Sequence, residues 1–381
     1  MTATSKAFAG KKIRIGILGA SGYTGAELVR LLARHPKAEI VFMTADSHAG
    51  EPYEQVYPHL GGLDLPGLVK VEEVEWAGVE VDTVFCGLPH GTTQKIIAGL
   101  MHQTHHSVLD EVMREDEGDA AAAIKGTPRV IDLSADFRLD STDTYAEWYG
   151  HEHYAPDLQP EAVYGLTEMN RAKLPDARLV ACPGCYPTVA ILPLAPLLAA
   201  GKIAPEDIIV DAKTGITGAG RSAKQANLFS EVSEGMHAYG IGSHRHGPEI
   251  EQELSKAYGD NIIINFTPHL APMNRGILAT SYVRLAGEAT ADDLRDCLAE
   301  RYADEPFVRV VGEGIAPATR HVRGANHCLI GVFPDRLPGR AIIVSVIDNL
   351  VKGSSGQAIQ NMNVMYGLDE TLGLEQEALF P

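Results

Sequence analysis

The chain has 381 residues, 45% hydrophobic and 22% charged, which is typical of a soluble globular protein with room for two domains. A net charge of −18 argues against nucleic acid or an anionic membrane surface as the main partner, although a local cluster of cations can still bind an anionic small molecule. The sequence shows neither a secretory signal nor a run of about 18 apolar residues. We therefore expect a cytoplasmic protein that spans no membrane.

The first motif is a strand, a glycine turn and a helix in succession. Residues 12–18 form a β-branched apolar run, a G-x-x-G-x-x-G turn follows, and a helical pattern ends near residue 36. Such glycines let the backbone approach a pyrophosphate, which the helix N-terminus binds. Because the spacing is not G-x-G-x-x-G, a glycine-rich turn without a ligand stays open as the alternative. The candidate cofactor residues here are Gly19, Ser21, Gly22, Tyr23, Thr24 and Gly25.

Three later strands of the first half are also followed by candidate residues. A second strand, residues 39–43, ends where a dinucleotide fold meets the adenosine ribose; Asp46 favours NAD there, whereas Thr44 and Ser47 suit NADP. A strand over residues 79–86 opens into a loop that contains Pro89, and a strand over residues 130–133 leads to Arg138. An arginine at a strand end can bind a phosphate through two parallel hydrogen bonds, or form a structural salt bridge with a neighbour such as Asp136.

The five cysteines are odd in number and thinly spread, so a disulfide framework is not expected. Cys182 and Cys185 form a C-x-x-C pair, but no second pair has zinc-ligand spacing. Residues 102–127 carry three histidines in an acidic, alanine-rich stretch that indicates a solvated surface insertion. The sequence therefore predicts no metal site.

Cys185 is the strongest candidate for chemistry. Residues 177–180 end a short apolar strand, an apolar helix is predicted from residue 188, and the prolines and glycine around the cysteine describe a tight exposed turn. A thiol at or just before a helix N-terminus is favoured in its nucleophilic thiolate form. The alternative is that Cys185 is a small buried hydrophobe.

The second half of the chain is rich in strands. These are predicted at residues 208–213, 262–266, 278–285, 308–311, 328–333 and 341–347. Between them lie a glycine-rich loop at residues 214–221, the sequence His244-Arg245-His246 before a helix, and a helix over residues 291–302. A last helix reaches about residue 366. The pattern favours a mixed-sheet second domain.

Taken together, these motifs resemble the N-acetyl-gamma-glutamyl-phosphate reductase family, within the aspartate-semialdehyde dehydrogenase-like superfamily. The resemblance runs from residue 16 to residue 367, and its segments are residues 19–25, 88–91, 132–138, 183–188, 218–221, 244–246 and 352–363. It implies an α/β chain with a Rossmann-type NADP-binding domain, residues 1–182 and 349–381. It also implies an α+β mixed-sheet domain for catalysis and dimerisation, residues 183–348, with the last helix returning to the first domain.

The resemblance also implies roles for single residues. Cys185 matches the nucleophile and His244 the acid/base, which would stabilise the thiolate as an imidazolium. The residues implied to bind the acyl phosphate substrate are Arg138, Arg245 and His246, and further cofactor contacts are implied for Pro89, Gly218, Gly220, Asn349 and Gly353. The implied reaction is NADPH-dependent reduction of an acyl phosphate through a cysteine thioester, in a homodimer or homotetramer.

Several alternatives stay open at this point. Residue 182 is a cysteine where the family pattern has asparagine, so a Cys182–Cys185 disulfide that silences the enzyme is conceivable. Aspartate-semialdehyde dehydrogenase and aminoadipyl-phosphate reductase use the same mechanism with a different side-chain pocket. A nucleotide-binding regulatory protein without catalysis is disfavoured, because both Cys185 and His244 are present.

Overall fold

A computed structural model describes residues 11–76, 78–102 and 127–380. The chain divides into two compact units: unit 1 comprises Met1–Pro183 and Gln357–Leu374, and unit 2 comprises Gly184–Gly356 and Glu375–Pro381. The predicted surface insertion falls on residues 103–126, which lie outside the described residues.

Unit 1 is built on a parallel sheet of seven strands in the order β3-β2-β1-β4-β5-β7-β6. The strands are β1 Ile13–Leu18, β2 Ala38–Thr44, β3 Leu68–Val69, β4 Thr83–Cys86, β5 Arg129–Asp132, β6 Ala162–Tyr164 and β7 Leu179–Ala181. The central strands β4 and β7 are buried throughout, as expected for a sheet covered on both faces. The order 3-2-1-4-5 is that of a dinucleotide-binding fold, so the predicted Rossmann-type domain is confirmed.

Ten α-helices are described in the two units. They are α1 Tyr23–Leu32, α2 Tyr53–Val56, α3 Thr93–His102, α4 Thr142–Tyr149, α5 Thr167–Asn170, α6 Cys185–Ala199, α7 Phe229–Val232, α8 His246–Tyr258, α9 Ala291–Arg301 and α10 Gly356–Met365. None of the helices in the described ranges is long and apolar enough to cross a membrane. The apolar face of α1, with Leu28, Leu31 and Leu32, is buried.

Unit 2 contains a mixed sheet of seven strands in the order β12-β13-β14-β11-β8-β10-β9. The strands are β8 Ile209–Gly215, β9 His237–Ala238, β10 Asn265–Ala271, β11 Ile277–Arg284, β12 Val308–Val310, β13 Cys328–Pro334 and β14 Arg340–Ile347. The pairs β8/β10 and β12/β13 are parallel and the other pairs are antiparallel. Along β11, buried residues alternate with part-exposed ones, because α6 packs on one face of the sheet only. The predicted mixed-sheet domain is confirmed.

Helix α10 returns the chain to unit 1, as predicted. Asn363 on this helix bonds His35 at 3.0 Å, and the hydroxyl of Tyr366 lies 2.8 Å from that of Thr83. The compact units divide at residues 183/184 and 356/357, whereas the sequence-based boundaries are 182/183 and 348/349. The second boundary lies later because a π-helical turn, Val351–Ser355, packs within unit 2.

Some element limits differ from the sequence-based ones. β4 begins at Thr83 rather than at residue 79, because the carboxylate of Asp82 binds the backbone amide of Arg14 ahead of the strand. Helix α6 begins at Cys185, three residues before the predicted start. The prediction placed the helix start after Pro187, but proline is well tolerated in the first turn of a helix.

Candidate active site

Cys185 is the first residue of α6, and Gly184 caps the helix with an extended backbone conformation. The cysteine is partly exposed, whereas the residues on either side of it are buried. The expectation of a tight exposed turn was therefore wrong: Tyr186 is only 2% exposed, and the turn is packed into unit 2. The placement at the helix N-terminus agrees with the prediction, and there the first-turn amides and the helix dipole stabilise a thiolate.

Two residues hold the backbone around Cys185. Glu249 on α8 is 1% exposed, and its Oε1 accepts a hydrogen bond of 2.8 Å from the backbone amide of Gly184. Gly353 packs against the cysteine so closely that a Cβ at this position would lie 2.7 Å from the Cβ of Cys185. Because both contacts lie within unit 2, they fix the position of the thiol within that unit.

An aromatic cluster links Cys185 to His244. The ring of His244 contacts those of Tyr186 and Tyr239, with centroids 5.6 and 5.4 Å apart, and the Tyr239 hydroxyl donates to that of Tyr186 at 3.1 Å. Burial, with a smaller contribution from the charge of Cys185, raises the pKa of Tyr239 to about 12. Burial also raises the pKa of Tyr186, with smaller contributions from Tyr239 and Cys185. Both phenols therefore stay protonated at neutral pH and remain hydrogen-bond donors.

His244 is held in one tautomer. Its Nδ1 accepts a hydrogen bond of 3.1 Å from the backbone amide of His246, so the proton of the neutral ring lies on Nε2. Burial, and then the neighbouring charge of Arg245, lower the pKa of His244 to about 4. The lowered pKa favours a neutral ring, whereas the resemblance implies an imidazolium beside the thiolate, so the acid/base role of His244 stays a prediction.

The neighbours of His244 occupy the start of α8. Arg245 is exposed at the N-cap, and His246 is the first helical residue, with its ring 4.8 Å from that of His244. A carboxylate or phosphate is favoured at such a helix start, which carries partial positive charge.

The glycine turn of unit 1 has the geometry of a dinucleotide site. Gly19 has φ +79°, and a Cβ there would lie 2.6 Å from the carbonyl oxygen of Gly87. A Cβ on Gly25 would lie 2.3 Å from the oxygen of Gly19, whereas Gly22 at the N-cap of α1 has its nearest such contact at 3.6 Å. The outer glycines thus close the turn, and the middle one leaves room for a ligand at the helix N-terminus. A nicotinamide dinucleotide fits this turn.

The other candidates near this turn occupy different positions. Ser21, Tyr23 and Thr24 are partly exposed at the start of α1, and Ser47 is exposed after β2. Thr44 is 2% exposed, and its hydroxyl accepts a hydrogen bond of 3.2 Å from the amide of Gly19. Thr44 therefore holds the glycine turn.

Pro89 and Arg138 lie on loops at the carboxyl ends of β4 and β5. Pro89 is exposed, whereas Arg138 is 6% exposed. The guanidinium donates from Nε to the carbonyl of Cys182 at 2.7 Å and from an Nη to that of Leu133 at 2.9 Å. These bonds fix the orientation of the guanidinium plane.

Four further cofactor candidates lie in unit 2, and one of them is Gly353, which packs against Cys185. Gly218 and Gly220 are exposed on the loop after β8. Asn349 is 3% exposed, accepts from the amide of Gly276 at 2.8 Å and donates to the hydroxyl of Thr217 at 3.0 Å. Asn349 therefore ties the side chain of Thr217 in that loop to the backbone of Gly276.

Both cysteines of the C-x-x-C pair are free thiols. Cys182 is 1% exposed and belongs to unit 1, and burial raises its pKa to about 12. A buried, protonated thiol is a poor partner for disulfide exchange.

Sequence reasoning missed Glu249, Tyr186 and Tyr239. Glu249 lies three residues after the histidine motif and Tyr186 directly follows the cysteine. The position of each residue next to a motif was therefore a signal that could have identified it. No sequence signal indicates Tyr239, because it is brought into the cluster by the pairing of β9 with β10.

Family comparisons identify the class of protein. Residues 14–112 match the semialdehyde dehydrogenase NAD-binding domain, and residues 185–349 match the semialdehyde dehydrogenase dimerisation domain. Aspartate semialdehyde dehydrogenase II from Vibrio cholerae has the same fold, with a TM-score of 0.66 at 17% identity, over 93% of this chain and 98% of that one. Because the two family models cover more than half of the chain, the chain belongs to the semialdehyde dehydrogenases.

Full-length relatives narrow the class further. The chain is 58% identical to N-acetyl-gamma-glutamyl-phosphate reductase of Rhodospirillum rubrum. The alignment spans 371 residues, which is 97% of this chain and 99% of the relative. It is 52% identical over 381 residues, 100% of its length and 88% of the relative's, to the probable chloroplastic N-acetyl-gamma-glutamyl-phosphate reductase of Arabidopsis thaliana. The chain belongs to the N-acetyl-gamma-glutamyl-phosphate reductase family.

Proposed function

We propose that the protein reduces N-acetyl-gamma-glutamyl phosphate to N-acetylglutamate 5-semialdehyde with release of phosphate, as a step of arginine biosynthesis. The observation that carries the proposal is Cys185 at the N-terminus of α6, with the ring of His244 packed against the adjacent Tyr186, in a chain 58% identical to a reductase of that name. We also propose that the reaction takes place in the cytoplasm.

The mechanism follows from the groups around Cys185. We assign the acid/base role to His244: its Nδ1 takes up the thiol proton when the bond from the His246 amide opens, and the lowered pKa of about 4 makes the protonated ring a ready proton donor. The thiolate attacks the acyl carbon, phosphate leaves, and a thioester remains on Cys185. First-turn amides of α6 stabilise the oxyanion, and the imidazolium of His244 returns the proton to the aldehyde-forming oxygen. A nicotinamide dinucleotide bound at the glycine turn, Gly19 to Gly25, would supply hydride for reduction of the thioester.

Arg138 is our candidate for the phosphate contact, together with Arg245 and His246. A protein of net charge −18 must neutralise a dianionic phosphoryl group locally. A guanidinium already anchored to two backbone carbonyls is preorganised for this task.

We assign NADP as the cofactor. The assignment is supported by the family resemblance and by Ser47, which is exposed after β2. Thr44 is buried and supports cofactor binding only by holding the glycine turn. Asp46 is exposed, and a carboxylate at this position favours NAD instead. The ratio of kcat/KM for NADP and NAD measures the preference, and a higher value for NAD would refute the assignment.

We assign the open face of the unit 2 sheet to a second copy of the chain. Helices α6 and α9 pack on one face, whereas Leu278, Tyr282 and Ile342 are partly exposed on the other. A sheet with apolar side chains on both faces is stable when both faces pack against other elements. Residues 185–349, which include this sheet, match a dimerisation domain. Light scattering of Tyr282→Arg checks this: a shift toward monomer supports the assignment, and an unchanged mass refutes it.

The assay of the reaction runs in the reverse direction. We expect NADP-dependent oxidation of N-acetylglutamate semialdehyde that requires phosphate, with aspartate semialdehyde oxidised at least about 100-fold less efficiently, a difference of about 2.7 kcal/mol. Equal rates with and without phosphate would refute acyl-phosphate formation. Faster turnover of aspartate semialdehyde would assign the chain to that neighbouring activity.

A further inference from the structure

A buried carboxylate lies beneath one of the loops assigned to the cofactor. Asp136 is 0% exposed, and both of its carboxylate oxygens lie 2.9 Å from the backbone nitrogen of Gly91. The hydroxyls of Tyr145, at 2.8 Å, and Thr93 also donate to it. A carboxyl group is costly to bury, and these donors compensate for that cost.

The loop that Asp136 holds has little freedom. Gly91 has φ +82°, and a Cβ there would lie 3.0 Å from Nε2 of His151. The same loop is tied to the loop after β5 at a second point, where the amide of Ala135 donates to Nδ1 of His90 at 3.0 Å. Residues 87–91 are therefore fixed to residues 133–138 by a side chain from each loop.

A second carboxylate makes this arrangement more costly. Asp132, at the end of β5, is also 0% exposed and binds the amide and hydroxyl of Ser134. Burial, and then the charge of Asp136, raise the pKa of Asp132 to about 7. Two fully buried acidic side chains at the carboxyl edge of the sheet are costly to the fold, so their presence there points to a functional use.

We propose that Asp136 is a positioning residue for the dinucleotide: it holds the amide of Gly91, and with it the 87–91 loop, in the conformation that binds the cofactor. In parallel α/β sheets, dinucleotides bind at the carboxyl ends of the strands, where this loop lies. Asp136 acts through the backbone and does not itself touch the cofactor. The inference rests on the proposed function, since it presumes that the loop contacts a nicotinamide dinucleotide.

The test is NADPH binding to Asp136→Asn without substrate, followed by NADPH fluorescence. The amide keeps one acceptor oxygen but turns an N–H₂ group toward the donors that surround it. We expect the Kd for NADPH to rise at least about tenfold, and KM for NADPH to rise with it, while kcat at saturating NADPH stays within about threefold. The control is Asp82→Asn, which breaks the Arg14 contact at the opposite end of β4; it should lower Tm and leave the Kd unchanged.

A second variant approaches the same loop without changing the carboxylate. Gly91→Ala strains the positive φ and crowds His151, so it should also raise the Kd for NADPH, and it tests the inference even if Asp136→Asn fails to fold. An unchanged Kd in either folded variant, with or without a lower Tm, would make Asp136 a purely structural residue. Absence of NADPH binding to the wild-type protein would instead refute the proposed function.

Discussion

Replacing Gly353 by alanine should disable the nucleophile without changing its side chain. The added Cβ would lie 2.7 Å from the Cβ of Cys185 and 3.2 Å from its Cα. Carbon atoms in favourable contact lie about 3.5–4.0 Å apart, so the first turn of α6 must move by about 1 Å. A displacement on the order of 1 Å can cost about 100-fold in rate, and crowding of a packed site costs about 1–3 kcal/mol of stability.

We therefore expect kcat/KM of Gly353→Ala to fall about 100-fold in the phosphate-dependent semialdehyde assay, equivalent to about 2.7 kcal/mol. Alkylation of Cys185 by iodoacetamide, monitored by mass, should slow as well. The matched control is Gly312→Ala in the same unit, where the nearest atom to the new Cβ would be 3.6 Å away on Ile315. Retention of more than half of the wild-type kcat/KM would show that the contact with Gly353 does not position the thiol.

Three further predictions concern the side chains of the site. Cys185→Ser should abolish turnover and keep NADPH binding, whereas Cys182→Ser, at a position 1% exposed, should stay active; equal losses would mean that the nucleophile is misassigned. Arg138→Lys should raise KM for phosphate in the reverse reaction about tenfold, because lysine lacks the planar fork, and an unchanged KM would leave Arg245 or His246 as the phosphate contact. The pKa of His244 is lowered from 6.5 to about 4, so protonation favours the unfolded chain, and the free energy of unfolding decreases as the pH falls from 6.5 to 4. Over this pH range the Tm of His244→Asn should fall less than the Tm of the wild type. Parallel curves of Tm against pH would contradict the lowered pKa.

The sequence predicted the elements that have strong periodicity or fixed turn chemistry. Strand β1, the glycine turn and α1 were predictable because each depends on local apolar spacing and on glycine. Cys185 could be assigned to a helix start because the apolar pattern resumes just after it. The predicted strand at residues 262–266 was placed too early: β10 begins at Asn265, where pairing with β8 starts, and local β propensity does not encode that partner.

The remaining features of the site depend on contacts between distant segments. Glu249 reaches Gly184 across 65 residues of chain, and nothing local to either residue indicates that bond. The neutral state of His244 likewise follows from burial among rings that other segments supply. Residue type and motif could therefore identify His244, but its charge required the packed structure.

The return of α10 to unit 1 sets an order for synthesis of the protein. A ribosome releases residues 1–183 long before residues 357–374, yet both belong to the same unit. Until the later segment emerges, His35 lacks Asn363, and Arg129 lacks the carbonyl of Met365 to which its guanidinium donates. Unit 2 is contiguous in sequence apart from its last residues and can fold as it emerges from the ribosome. Unit 1 cannot complete its fold until α10 has been synthesised, and the surface that α10 covers stays exposed until then. A nascent chain of which residues 1–356 have left the ribosome but residue 357 has not should therefore expose unit 1 to proteases and chaperones while unit 2 is already protected.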